Sequence, residues 1–293
     1  MRPQNNLDGV RVSKTFRSLT GEQEVKVENT KVMILCGGKG TRIRDASEIL
    51  PKPMLQIGDR PVLWHIMKLY AHYGFQDFVL CLGYKGHIIK DFFMNYRSYA
   101  EDVLVKLSAA ASGSEITFLE PCEEMGWSIF LTETGEETQT GFRVKRGSKF
   151  IEHGTFMLTY GDGVGNVDID KLLAFHRAHG KLVTVTGVRP PGRFGELGVT
   201  GDKVVEFSEK PQAAGGLING GFFVMEQEFI DRYISDDTNM PLEQDPLRNC
   251  ARDDEMRVFM HDGFWQPMDT LREYNLLNEL WNSGNPPWKV WND

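Results

Sequence analysis

From residue 31 onward, short unbroken apolar runs alternate with stretches whose apolar residues recur every three or four positions. The run at 32–36 leads straight into glycines, as expected of a parallel strand buried on both faces. Pro61 then opens a helical stretch through Leu63, Ile66, Met67 and Tyr70, which Gly74 closes. A strand at 78–82 and a helix at 87–96 follow. This strand–helix–strand–helix alternation predicts an α/β fold of Rossmann-like type. In it a mixed, mainly parallel sheet with right-handed crossovers is flanked by helices.

The middle of the chain is less regular. Segments 116–120 and 128–132 read as two strands joined by the turn-rich 121–126, a small β-rich insertion. Further strands are expected at 156–160, 183–188, 204–207, 222–225 and 256–261, with a helix at 168–179. A final helix starts at Thr270, where Thr270 and Glu273 form a Thr-x-x-Glu capping box. It runs through Leu271, Tyr274, Leu277 and Trp281 to Gly284. Residues 1–30 lack apolar periodicity. They read as an extension, loosely ordered or docked on another subunit, ahead of one domain spanning 31–293.

Composition changes this picture only by exclusion. A chain of 293 residues can bury a large core. Its net charge of -8, without a basic stripe, disfavours nucleic acid as a partner. The cysteines Cys36, Cys81, Cys122 and Cys250 are scattered without a C-x-x-C pair, so reduced thiols are expected rather than a disulfide or a zinc site. No apolar run approaches the ~20 residues that span a bilayer. The N-terminus has no apolar core of the signal-peptide kind. The expectation is a soluble, cytoplasmic protein without a membrane partner.

The candidate chemistry starts at Cys36-Gly37-Gly38-Lys39-Gly40-Thr41-Arg42, directly after the first strand. Glycines let backbone N–H groups approach an anion closely, because no Cβ intervenes. This is no Walker A loop, since Gly40 stands where a magnesium-binding Ser or Thr belongs, and no dinucleotide fingerprint, since Ile43 replaces the last glycine. A plain strand–helix turn is the alternative. Arg42 and Lys52, the latter between Pro51 and Pro53, tip the balance toward phosphate binding. Asp162 follows a buried strand, where open α/β sheets bind ligands and where a carboxylate can hold Mg²⁺; a turn aspartate between two glycines is the rival reading. Asp269 precedes the capped helix, so a capping role competes with a metal role shared with Asp162. Lys210 ends a strand as a solvated lysine or an anion ligand. Asn219-Gly220-Gly221 offers donors for hydroxyls, or simply a turn.

Together these segments resemble the sugar-1-phosphate nucleotidyltransferases, over roughly residues 31–291. The glycine turn and Pro51-Lys52-Pro53-Met54 carry the resemblance for the whole superfamily. Tyr160-Gly161-Asp162-Gly163, Pro191-Gly192-Arg193-Phe194-Gly195, Glu209-Lys210-Pro211, Asn219-Gly220-Gly221-Phe222 and Trp265-Gln266-Pro267-Met268-Asp269-Thr270 point to its cytidylyl branch. The resemblance implies that Leu35, Cys36, Gly37, Gly38, Lys39, Gly40, Thr41, Arg42, Lys52, Thr134, Gln139 and Gly161 bind the nucleotide, with Arg42 and Lys52 catalytic. It implies Mg²⁺ on Asp162 and Asp269, and a sugar phosphate on Lys210, Asn219 and Gly220. The implied reaction joins CTP and glucose 1-phosphate to CDP-glucose and pyrophosphate in a homo-oligomer that feeds polysaccharide synthesis. Other triphosphates (UTP, dTTP, GTP), another phosphate acceptor, a non-catalytic nucleotide sensor and a nicotinamide-dependent oxidoreductase remain as alternatives. The family's usual alanine is Cys36 here, and Leu50 stands where a second lysine is frequent. Residues 97–132 diverge strongly.

Overall fold

The computed structural model describes residues 30–38, 50–107, 115–151, 154–190, 196–200, 203–208 and 216–292. Except for Thr30, the expected N-terminal extension lies outside the described residues. The centre is a seven-stranded sheet of β1 Val32–Leu35, β2 Asp77–Leu82, β3 Ser128–Glu133, β4 Thr155–Tyr160, β5 Val183–Val188, β6 Ile218–Glu226 and β7 Met256–His261. Across the sheet the order is β7-β5-β6-β4-β1-β2-β3. Strand β6 runs antiparallel to both neighbours, and every other pairing is parallel. The predicted mixed, mainly parallel sheet is present.

Strand β1 shows why these runs are apolar throughout. Val32 and Ile34 enter one core, Met33 and Leu35 the other, on opposite faces of the sheet. The first core is closed by α1 Val62–His72, α2 Gly86–Met94, α4 Ile169–His179 and α7 Leu271–Asn282. The second is closed by α3 Thr140–Gly147, α5 Gln227–Tyr233 and α6 Asp245–Arg252. Helix α1 is buried from Val62 to Tyr70, its polar His65 and Lys68 included.

Two expectations need correction. The segments at 116–120 and 128–132 are strands, as expected, but they belong to different sheets. Glu115–Phe118 pairs with Val103–Lys106 in a separate ribbon, whereas β3 joins the main sheet beside β2. Two-residue alternation identifies a strand but not its partner, because pairing is decided by distant segments. Asn219-Gly220-Gly221 is not a turn ahead of a strand but lies within β6, beside a bulge where Gly187 faces Asn219.

The last helix is positioned at both ends. Its capping box is complete: the Glu273 N–H donates to Thr270 Oγ1 at 3.3 Å, and the Thr270 N–H to Glu273 Oε2 at 2.9 Å. Farther along, Asn278 accepts from the Gly58 N–H at 3.0 Å and donates to the Gln56 carbonyl at 3.2 Å, fastening α7 to the turn after Ile57. Gly58 has φ +65°, and a Cβ there would stand 2.1 Å from Trp281 Nε1, so only glycine fits.

His65 completes this junction. It is 1% exposed, with the rings of Trp64, Trp281, Trp288 and Trp291 around it. Its Nε2 lies 2.9 Å from the Ile57 carbonyl, which only accepts, and Trp288 donates to its Nδ1 at 3.5 Å, so the ring is neutral. Burial pushes its pKa down to about 4. The unfolded chain takes up this proton near pH 6.5 and the folded chain only near 4. Stability is therefore intact above pH 6.5 and falls as pH drops toward 4, by roughly 3 kcal/mol at the limit. Urea unfolding at pH 7.5 and pH 5 is expected to show this loss, and His65→Gln to reduce the difference between the two midpoints.

Candidate active site

The loops that follow β1, β2, β3 and β4 meet at one end of the sheet. Chain order runs from β1 outward to β2 and β3, whereas β4 lies on the other side of β1. Such a switch leaves a crevice beyond the carboxyl ends of the strands, where open α/β sheets bind ligands. Here a cavity of about 340 Å³ is lined by Leu35, Gly37, Gly38, residues 136–140, Arg143, Tyr160 and Asp162.

Asp162 connects this lining to Lys52, whose Nζ lies 2.5 Å from Asp162 Oδ2 and 2.5 Å from Asp269 Oδ1. The lysine side chain is 11% exposed, the two carboxylates about one third. Burial alone would lower the lysine's pKa, but the two carboxylates outweigh it and hold the ammonium above its ordinary value. Local chemistry sets each partner. Lys52 opens a single 3₁₀ turn, Lys52–Met54, after Pro51, whose fixed φ presets the entry. Asp162 follows β4 through Gly161. A Cβ on Gly161 would stand 3.0 Å from the Leu35 carbonyl and 3.2 Å from Pro53 Cγ, so this close crossing calls for glycine. Asp269 is held by its own N–H, which donates to Glu273 Oε2 at 2.7 Å, and Met268 N–H donates to the Asp162 carbonyl at 2.8 Å. The capping and metal readings of Asp269 are thus compatible: the backbone serves the cap, and the carboxylate faces Lys52.

The other expected residues fall into distinct places. Leu35 lines the cavity, and its carbonyl accepts from the Gly161 N–H at 3.0 Å. Gly37 is buried, while Gly38 is exposed with open space where a Cβ would be. Cys36 is 1% exposed and packs in the first core, where burial pushes its thiol well above the usual range. Gln139 lines the cavity, its N–H bonded to the Thr238 carbonyl at 2.9 Å. Thr134 is buried, its hydroxyl donating to the Leu82 carbonyl and accepting from Arg143 at 2.9 Å. Asn219 reaches the Tyr160 hydroxyl at 3.4 Å and accepts from the Gly221 N–H at 2.8 Å; the Gly220 carbonyl accepts from Trp265 at 2.7 Å. Lys39, Gly40, Thr41, Arg42 and Lys210 lie outside the described residues.

Sequence reading missed three side chains here. Arg143 passes behind the glycine turn from α3, whose eight residues are too few to show a helical pattern. Tyr160 donates to Glu243 at 2.5 Å, and Glu243 also accepts from Thr140 at 2.7 Å. Burial, reinforced by Glu243, raises the Tyr160 phenol well above its ordinary value. This cluster ties the loop beside the cavity to the strand that carries Asn219. No short-range signal links residues 83 positions apart.

Two converging carboxylates have the donor chemistry of a hard divalent cation site, and exposed glycine backbone has that of a phosphate cradle. The carboxylate pair meets on one cation position, as a shared Mg²⁺ requires, and two acidic ligands suit an ion that completes its shell with phosphate oxygens and water. Among the described residues no helix is long and apolar enough to cross a membrane.

Comparison with known proteins agrees with this geometry. The profile of the nucleotidyl transferase family matches residues 31–282. The chain is 44% identical to the glucose-1-phosphate cytidylyltransferase of Salmonella typhimurium over 89% of its own length and 99% of that protein. Among solved structures it resembles HddC from Yersinia pseudotuberculosis, with TM-score 0.62, 23% identity and coverage of 86% and 99% of the two chains. It also resembles a UDP-glucose pyrophosphorylase complexed with UDP-glucose, with TM-score 0.60, 13% identity and coverage of 87% and 99%. Sheet order, crevice and family match agree: the chain belongs to the nucleotidyl transferase family and is a nucleotidyltransferase.

Proposed function

We propose that the enzyme transfers a cytidylyl group from CTP to glucose 1-phosphate, releasing CDP-glucose and pyrophosphate. The observation that carries the reading is Lys52 Nζ held between Asp162 and Asp269 beside the Gly37-Gly38 turn. The choice of CTP and glucose 1-phosphate is supported by 44% identity to a protein named for that reaction, along nearly the whole of both chains.

A sugar phosphate oxygen is already largely ionised at neutral pH, since the second phosphate pKa is about 6, so no general base is needed. That oxygen attacks the α-phosphorus in line. The bond from the α-phosphorus to its bridging oxygen breaks, and pyrophosphate leaves with that electron pair. The backbone N–H groups at Gly37 and Gly38 receive phosphate oxygens, and the Lys52 ammonium offsets negative charge gathering on the leaving group. Asp162 and Asp269 would hold Mg²⁺, which would supply positive charge to offset that of the phosphates. The family resemblance assigns the sugar phosphate to Lys210, Asn219 and Gly220. The protein's contribution is positioning and fixed charge.

Replacing Lys52 or Asp162 by alanine is expected to lower kcat/KM by at least 100-fold while the thermal midpoint moves by only a few degrees. Near-normal pyrophosphate release by both folded variants would exclude the catalytic assignment. The substrate pair is tested separately, with CTP, UTP, dTTP, GTP and ATP each paired with several sugar 1-phosphates. CTP with glucose 1-phosphate is expected to give the highest kcat/KM, and a clear preference for another pair overturns the finer assignment alone.

A further inference from the structure

Four elements meet at Glu243. It stands just ahead of α6, while Thr140 opens α3, Tyr160 ends β4 and Asn219 lies in β6. Glu243 is exposed, yet both of its oxygens are taken. Oε1 accepts from the Tyr160 hydroxyl at 2.5 Å and Oε2 from the Thr140 hydroxyl at 2.7 Å. Thr140 is itself fixed: its Oγ1 accepts from the Leu242 N–H at 2.8 Å, and the Gly141 N–H donates to the Met240 carbonyl at 3.0 Å. The loop before it is held by Arg143, which donates to the carbonyls of Leu82, Glu136 and Thr138 and to Thr134 Oγ1.

The proton positions follow from this arrangement. A carboxylate has no hydrogen to give, so the Tyr160 proton points at Glu243 and the phenol oxygen offers only lone pairs elsewhere. Asn219 is oriented as firmly. The Gly221 N–H donates to its Oδ1 at 2.8 Å, so Nδ2 carries two hydrogens, one of them facing the Tyr160 oxygen at 3.4 Å. The two side chains thus present one acceptor beside one donor. Their separation exceeds the roughly 2.7–3.2 Å of an ordinary N–H···O bond. A hydroxyl oxygen about 2.8 Å from both atoms closes the triangle, donating to Tyr160 and accepting from Asn219.

The cluster stands where the linings of two cavities meet. Tyr160 and Thr140 line the first, whereas Asn219 and Glu243 line a second of about 280 Å³ whose other lining residues are apolar. An apolar wall offers a hydroxyl no partner, so hydroxyl recognition on that side falls to this network. We propose that Glu243 is a positioning residue for the acceptor substrate: it fixes the direction of the Tyr160 hydroxyl, and Tyr160 and Asn219 then recognise one hydroxyl of the sugar 1-phosphate. This rests on the assignment of Asn219 to the sugar phosphate. Glutamine at 243 keeps the size and one acceptor but brings an NH₂ group, so only one of Tyr160 and Thr140 can still donate to it. The amide can then donate to Tyr160, whose proton turns toward the sugar and opposes the hydroxyl's own.

The experiment compares wild type, Glu243→Gln, Tyr160→Phe and the double variant, using CTP with glucose 1-phosphate and its monodeoxy analogues. In wild type, one analogue is expected to lose at least 30-fold in kcat/KM. Glu243→Gln is expected to raise the KM for glucose 1-phosphate at least tenfold and to shrink the penalty of that analogue to about threefold. The KM for CTP and kcat should stay within about threefold, and the thermal midpoint within a few degrees, since Glu243 is exposed. Beside Tyr160→Phe, Glu243→Gln should change the KM for glucose 1-phosphate less than about twofold, because its effect passes through the phenol.

The proposal is overturned if Glu243→Gln leaves the KM for glucose 1-phosphate unchanged. It is overturned equally if that KM moves together with the KM for CTP and the thermal midpoint, as for a purely structural residue. A wild-type profile across the monodeoxy analogues in Glu243→Gln, or a full Glu243→Gln effect beside Tyr160→Phe, also overturns it. Preference for another substrate pair corrects the proposed reaction alone, and the same comparison is then made with that pair. If wild type releases no pyrophosphate, the proposed reaction fails and calorimetric binding of glucose 1-phosphate to the four proteins decides. Binding weakened at least tenfold by Glu243→Gln supports the role; equal binding, or none to wild type, overturns it.

Discussion

The ammonium of Lys52, shared by two carboxylates distant from it in the chain, is the interaction on which the rest of the site depends. Asp162 lies 110 positions away and Asp269 lies 217 away. Closing both contacts requires β1 beside β4 and α7 on the same face as the Lys52 turn. The sheet order and the capped helix are therefore preconditions of one contact. Such a cluster is weak evidence of stability, because desolvating three charges offsets much of their mutual attraction. What it secures is arrangement. Two carboxylates sharing one ammonium carry a net negative charge, and binding a dication makes that net charge positive. Under the function proposed above, these three groups would attract a phosphate only once a metal is bound.

The cavity's upper wall is fixed with equal economy. Thr140 joins Glu243, Glu243 joins Tyr160, and Tyr160 meets Asn219. The Tyr160 ring packs on Gly221, whose φ of +79° and missing Cβ make that packing possible. The loop beside one cavity and the strand proposed to face the sugar phosphate are therefore not independent surfaces. A displacement at Gln139 or Thr140 is felt at Asn219 through two side chains.

What the sequence revealed and what it hid follow from range. Strand β1, its glycine turn, the aspartate after β4 and the Thr270–Glu273 cap were legible, because each is defined by neighbours within a few residues. The pairing of Glu115–Phe118 with Val103–Lys106 was not, since alternation gives a strand its faces without naming its partner. Asn219-Gly220-Gly221 was left open between hydroxyl donors and a turn, because glycines serve bulges and close crossings as well as turns. Arg143 was invisible for a different reason: its significance lies in four oxygens, three of them main-chain, and main-chain oxygens leave no trace in composition or spacing.

That last feature has an evolutionary reading. Every residue type carries a carbonyl, so a guanidinium that grips the loop at the carbonyls of Glu136 and Thr138 is indifferent to the side chains displayed there. Substitutions at 136–139 can then alter what the loop presents to the cavity while its path stays fixed. The two carboxylates and the lysine, on other elements, remain untouched. Under the proposed function, the scaffold separates the part that reacts from the part that recognises. A change of nucleotide preference can therefore accumulate one residue at a time without passing through an inactive protein.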